Sequence, residues 1–261
     1  MKRTIIANWK MNPDTPREAR RLFGKIKRAA ARRSRVTTVV CPPAVFLPLL
    51  QAGKNLTLGG QDIFTAPRGA YTGSISAAQI KFAGAAYVIL GHSERRWPPA
   101  GTGETNEVIN EKIKLALATG LRVILCVGET ARDERGDYLK IVREMLERGL
   151  DRLTRADLKF LLIAYEPVWA ITAPTSVKSW RGTADTPEDF LEQSLFIRKV
   201  LAARFGQAAA LAVPVLYGGS ATPDNAADFL TRGEAAGLLV GHASLRADQF
   251  NKILRLVDRS A

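Results

Sequence analysis

Apolar, β-branched runs alternate with amphipathic segments from one end of the chain to the other. A short apolar run bounded by turn residues reads as a buried strand, and apolar positions three and four apart read as a helix face. Strands are predicted at 4–9, 36–41, 56–58, 86–90, 122–127, 160–165, 212–217 and 237–240. Helices follow each of them, at roughly 16–33, 44–53, 76–83, 104–119, 137–149, 187–205, 223–232 and 246–258. The first helix opens on Thr15-Pro16-Arg17-Glu18, with a cap residue, proline at the first helical position and an acid three after the cap. Thr186-Pro187-Glu188-Asp189 and Thr222-Pro223-Asp224-Asn225 repeat that signal. Gly206 follows the sixth helix, where a left-handed cap residue belongs.

Strand alternating with helix implies parallel pairing through right-handed crossovers. Eight units in a chain of 261 residues fit a closed (β/α)8 barrel better than an open sheet. The first strand leads into Asn8-Trp9-Lys10-Met11-Asn12, without the glycines of a dinucleotide-binding turn, and no phosphate loop of the nucleotide-binding kind occurs. Neither a low-complexity linker nor a break in composition divides the chain, so 1–261 reads as one α/β domain.

Composition narrows the chemistry. Cys41 and Cys126 both lie in apolar runs and read as small buried hydrophobes. With only His92 and His242 as histidines, no metal centre and no cofactor are expected. No stretch approaches the roughly 20 apolar residues of a membrane span, and the opening residues lack a signal peptide's apolar segment, so a cytoplasmic protein is expected. The formal charge is +13, and residues 17–35 hold nine Lys or Arg against one Glu. Ala19, Leu22, Phe23, Ile26 and Ala30 share one face of that helix and the cations take the rest. This reads as a solvated face, so no nucleic-acid partner is expected, although such a field also draws small anions.

In a barrel of this kind the site is built from loops at the carboxyl ends of the strands. Those ends carry Lys10, His92, Glu166, Gly218-Gly219-Ser220 and Gly241-His242. A carboxylate and an imidazole are the parts for proton transfer. Lys10 supplies a fixed positive charge. Glycine-led turns before the last two helices expose N–H groups that suit a phosphate. Together they point to metal-free acid–base chemistry on a small phosphorylated substrate.

The chain resembles the triosephosphate isomerase family. The resemblance rests on Asn8-Trp9-Lys10-Met11-Asn12, Gly91-His92-Ser93-Glu94-Arg95-Arg96, Cys126-Val127-Gly128-Glu129-Thr130, Ala164-Tyr165-Glu166-Pro167-Val168-Trp169-Ala170-Ile171, Tyr217-Gly218-Gly219-Ser220 and Leu239-Val240-Gly241, in the family's order and from end to end. It implies a single-domain TIM barrel that interconverts glyceraldehyde 3-phosphate and dihydroxyacetone phosphate through an enediolate, in glycolysis and gluconeogenesis. It implies Glu166 as the base, neutral His92 as the electrophile and Lys10 as the stabilising cation. Asn8 would orient substrate, Glu94 would hold Lys10, Ser93 would open the short helix after His92, and the N–H groups of Ser220, Gly241 and His242 would hold phosphate. It also implies a homodimer through Gly69-Ala70-Tyr71-Thr72-Gly73.

Several positions depart from the family pattern. The lid segment, 172–185, is about eight residues longer and has Thr172 in place of a glycine. A second insertion, 97–104, is expected to pack against it. His242 stands for a glycine and Ser74 for a glutamate. Two alternatives follow from these changes: a barrel without turnover that binds a phosphate ligand or uses its basic surface, and an isomerase of another small sugar phosphate.

Overall fold

The computed structural model describes residues 2–98, 101–132, 136–170 and 185–260. Eight parallel strands close into a barrel in sequence order: β1 (Arg3–Asn8), β2 (Val36–Cys41), β3 (Leu56–Gly60), β4 (Ala85–Leu90), β5 (Arg122–Val127), β6 (Leu161–Tyr165), β7 (Val215–Tyr217) and β8 (Gly237–Val240). Helices α1 (Pro16–Ala30), α2 (Ala77–Phe82), α3 (Ser93–Arg96), α4 (Asn106–Ala118), α5 (Asp137–Gly149), α6 (Pro187–Phe205), α7 (Gln207–Ala212), α8 (Ala226–Thr231) and α9 (Ala247–Ser260) surround it. No helix among the described residues is long and apolar enough to cross a membrane.

The strands are nearly continuous apolar runs because both of their faces are buried. Alternate residues of β1 divide between two cores: Ile6 joins Val39, Ile89, Ile124, Leu162 and Leu216 inside the barrel, while Ile5 and Ala7 face the helices. The two threonine–proline starts of the long helices form as expected. The Thr15 side chain accepts the Glu18 N–H, and Thr186 and Asp189 form a reciprocal capping box.

Four expected elements differ. The stretch after β2 is a 3-10 helix over Ala44–Leu49, with Pro48 inside it unable to donate an amide bond. Ala212 ends α7, so the seventh strand shortens to Val215–Tyr217. Phe160 closes a 3-10 turn rather than opening β6. Thr222-Pro223-Asp224-Asn225 forms a turn closed by the Thr222 N–H on Asn225 Oδ1 (2.8 Å), and α8 begins only at Ala226. Gly206 has the positive φ expected of it, 86°, but its ψ of 155° lies outside the left-handed helical region.

Candidate active site

β1, β4 and β6 all end at one rim of the parallel barrel, and each delivers one candidate group. After β4, Gly91 turns the chain at φ 70°, where a Cβ would meet the Arg96 guanidinium at 2.8 Å. The turn delivers His92 to the start of α3. His92 Nδ1 accepts the Glu94 N–H (3.2 Å), so the lone pair lies on Nδ1 and the ring proton of the neutral imidazole on Nε2. His92 Nε2 faces Glu166 Oε1 at 3.4 Å.

Glu166 follows β6 and is 2% exposed. Its N–H donates to Val127 O (2.8 Å), tying the ends of β5 and β6. That approach requires Gly128, since a Cβ there would collide with the Glu166 carbonyl oxygen. Oε2 accepts the Ser93 N–H at 2.9 Å, whereas the buried Oε1 has no hydrogen-bond donor. Two further groups bound the carboxylate. Burial, and then the Glu166 charge, push the Cys126 thiol well above its usual range, so it stays neutral. Arg96 is buried against Gly91 O (2.8 Å), Cys126 O (3.1 Å) and Asn106 Oδ1 (2.7 Å); burial lowers its pKa, and the Glu166 charge partly offsets this.

Lys10 follows β1 with φ 51°, an uncommon conformation for a residue with a side chain. Its backbone is clamped on both sides. The Lys10 N–H donates to Asn8 Oδ1 (3.1 Å), and Gln61 Nε2 donates to Lys10 O (2.8 Å) and to Cys41 O (2.9 Å). Lys10 Nζ donates to Glu94 Oε1 at 2.6 Å. A Cβ on Gly241 would lie 3.5 Å from Lys10 Cε, so the turn after β8 is the ammonium's neighbour.

That turn is a 3-10 helix, His242–Leu245, whose first N–H groups have no acceptor within the turn. Ser244 Oγ pins it by donating to Gly241 O (2.7 Å) and Asn8 O (3.3 Å). His242 has negative φ, so the side chain imposes no strain there. The Ser220 N–H lies toward the Tyr217 hydroxyl, whose pKa burial raises and this N–H partly holds down.

The structure thus brings Asn8, Lys10, His92, Ser93, Glu94 and Glu166 together, with Gly241 and His242 beside them. The reading of the lid, 172–185, lies outside the described residues except at Asp185, and so does its expected packing on 97–104. Sequence reasoning missed Gln61, although it too stands at a strand end. It also missed a polar network behind Glu166. Glu129 Oε1 accepts from Tyr165 Oη (2.6 Å), Trp169 Nε1 (2.9 Å) and Arg132 Nε (3.0 Å), and Arg132 reaches Asp189 Oδ1 (2.9 Å). Burial opposes the Arg132 charge, but Tyr165 and Glu129 more than offset it and raise its pKa.

Comparison with known proteins gives relatives that span nearly the whole chain. The family model described as triosephosphate isomerase matches residues 3–257. The triosephosphate isomerase of Carboxydothermus hydrogenoformans is 41% identical over 255 residues, 96% of this chain and 97% of the relative. That of Endomicrobium trichonymphae is 38% identical over 260 residues, 98% and 99% of the two chains. The crystal structure of triosephosphate isomerase from Bartonella henselae superposes with a TM-score of 0.81 at 34% identity, covering 98% of this chain and 99% of that one.

Proposed function

The chain belongs to the triosephosphate isomerase family, and on that premise we propose that Glu166, His92 and Lys10 divide the work of interconverting glyceraldehyde 3-phosphate and dihydroxyacetone phosphate. The observation that carries the assignment is the buried Glu166, one oxygen held by the Ser93 N–H and the other without a donor beside His92 Nε2. The uncommitted oxygen takes a proton from one carbon of the bound triose and returns it to the neighbouring carbon. Between the two transfers the electron pair rests on an enediolate. His92 Nε2–H donates to the oxygen that gains charge, the hydroxyl proton passes from one substrate oxygen to the other by way of this nitrogen, and the Lys10 ammonium stabilises the charge by field. Asn8 acts on substrate through Lys10, whose N–H it accepts. Phosphate is held by the N–H groups of Gly241 and His242 next to Lys10, and by Ser220 once its N–H is drawn from Tyr217. A coupled assay with glyceraldehyde 3-phosphate tests the whole reading; turnover no faster than the buffer background would sink it.

The same proposal has single-domain barrels of residues 1–261 acting in the cytoplasm as homodimers. Support for pairing comes from apolar side chains left bare after β1, β2 and β3 and on α2: Met11 is 90% exposed, Val45 74% and Phe82 94%, with Tyr71 and Ile75 beside them. Tyr71 belongs to the Gly69-Ala70-Tyr71-Thr72-Gly73 loop, where Gly69 and Gly73 have φ of 143° and 84°.

A further inference from the structure

The outer face of α1 has no role in the isomerisation. Its inner face, Ala19, Phe23, Ile26 and Ala30, is buried in the core. At 100° per residue, Arg17, Arg21, Lys25 and Arg28 fall within an 80° arc on the opposite side, one cation for each turn of about 5.4 Å. All four are exposed and form no ion pair among the described residues. The sequence pattern alone reads these cations as a solvated face. The structure adds that the row is unpaired and that it continues sideways. α9 packs against α1 and exposes Lys252, Arg255 and Arg259 along one of its own faces. The acids nearby are few. Glu18 is taken by the Thr15 hydroxyl (2.9 Å), Asp258 by Arg33 (3.8 Å) and the Arg35 N–H (3.0 Å), and Asp248 by Arg246 (3.9 Å). The exposed Asp224 stands 4.0 Å from Lys252 of α9, leaving Arg255 and Arg259 unpaired among the described residues.

We propose that the paired outer faces of α1 and α9 form a docking surface for the phosphodiester backbone of a double-stranded nucleic acid, read without regard to base sequence. The row is straight and regularly spaced, so it suits a polymer of phosphates rather than one small anion, which needs donors that converge. Arginine dominates it, and the planar guanidinium matches phosphate geometry. No large apolar or aromatic side chain is exposed on either helix. Stacking platforms for single-stranded bases are therefore absent from this face, as are the apolar anchors that seat a basic helix in a bilayer.

The test is fluorescence anisotropy of a labelled 20-base-pair duplex with the intact protein, between 50 and 200 mM salt. Two quadruple variants are compared. One carries Arg17→Gln, Arg21→Gln, Lys25→Gln and Arg28→Gln. The control removes the same charge across the barrel, through Arg152→Gln, Arg155→Gln, Lys159→Gln and Lys199→Gln. Isomerase activity and melting temperature report that both are folded. The α1 variant is expected to bind at least tenfold more weakly than the control, with a slope of log affinity against log salt shallower by up to about 3.6, roughly 0.9 for each lost contact. Equal losses in both variants would mean that only net charge matters and overturn the surface. Failure of the unmodified protein to bind at 50 mM salt would overturn it as well. So would displacement of the duplex by phosphatidylserine vesicles, which would assign the face to a membrane.

Discussion

Two carboxylates at the same rim are buried for opposite consequences. Glu166 keeps one oxygen on the Ser93 N–H and the other without a donor, free for the proposed role of base. Its reach is set by one side-chain length, so Glu166→Asp retracts the carboxylate by about one methylene from the carbon proton. A displacement of about 1 Å costs on the order of 100-fold in rate, and kcat should fall by that much while KM changes little. A variant with near-normal kcat would remove Glu166 from the role of base. Asp185 is 7% exposed, and neither of its oxygens has a hydrogen-bond donor. Arg132 stands 3.9 Å away but is already committed to Glu129 and Asp189, and the Thr186 N–H donates to Asp189. Burial therefore pushes the Asp185 carboxyl up to about 7, with Arg132 only partly opposing it. Between the ordinary carboxylate range and pH 7 the folded protein holds a proton that the unfolded chain has released. Stability therefore falls as pH rises through that window, and the loss is complete above 7. Asp185→Asn cannot ionise, so its stability should overtake that of the parent as pH climbs from 4 to 8, by on the order of 2–4 kcal/mol at pH 8, read as a higher melting temperature. Parallel melting profiles for the two proteins would show that Asp185 is not the group that titrates.

At the scale of elements, the ends of the strands hold one another. Gln61, just past β3, donates to backbone carbonyls beyond β1 and at the end of β2, and the first of these fixes Lys10 in its positive φ. Gln61→Ala should cost about 1–3 kcal/mol, since the Lys10 carbonyl loses its donor and the Cys41 carbonyl keeps only the Trp9 N–H. It should also lower kcat/KM about tenfold as Lys10 relaxes toward ordinary backbone angles. A stability loss with unchanged kcat/KM would make Gln61 a strand tie alone. The barrel itself was legible because strands with two buried faces leave unbroken apolar runs such as 36–41 and 122–127, and because Thr-Pro caps mark helix starts locally. The misplaced boundaries at 44–53, 212–217 and 223–232 lie where apolar helix and apolar strand look alike over a few residues, or where a turn uses the same Thr-Pro signal as a helix. Lys10, His92 and Glu166 could be read because each ends a strand. Gln61 and the Glu129–Arg132–Tyr165 network could not, because apart from the Glu129–Arg132 pair, three residues apart, their partners are 20 to 57 residues away in sequence and meet only once the barrel has closed.

For the whole molecule, the proposed pairing has to add something to a site that one chain already supplies. Every side chain assigned a role in the chemistry comes from one barrel, yet the support of Lys10 is one-sided. Asn8, Gln61 and Glu94 hold it from within, while Met11, the next residue, stands 90% exposed. Val45, Tyr71, Ile75 and Phe82 are bare in the segments that follow the neighbouring strands β2 and β3, and exposed apolar side chains so placed support the proposed pairing. A partner that covers Met11 would remove the remaining freedom of the residue carrying the ammonium. The protein is thus expected to run as a dimer in light scattering at micromolar concentration. Phe82→Glu together with Tyr71→Glu places two charges in the apolar surface and should give monomers. Those monomers should keep their melting cooperativity, because neither side chain belongs to the barrel core. Their kcat should nevertheless drop by about one to two orders of magnitude, the scale of a sub-ångström to 1 Å displacement of a catalytic group. A parent protein that is monomeric with full turnover would refute the pairing. A monomeric variant with the parent's kcat would leave the dimer standing and show that Lys10 needs only the clamp its own chain provides.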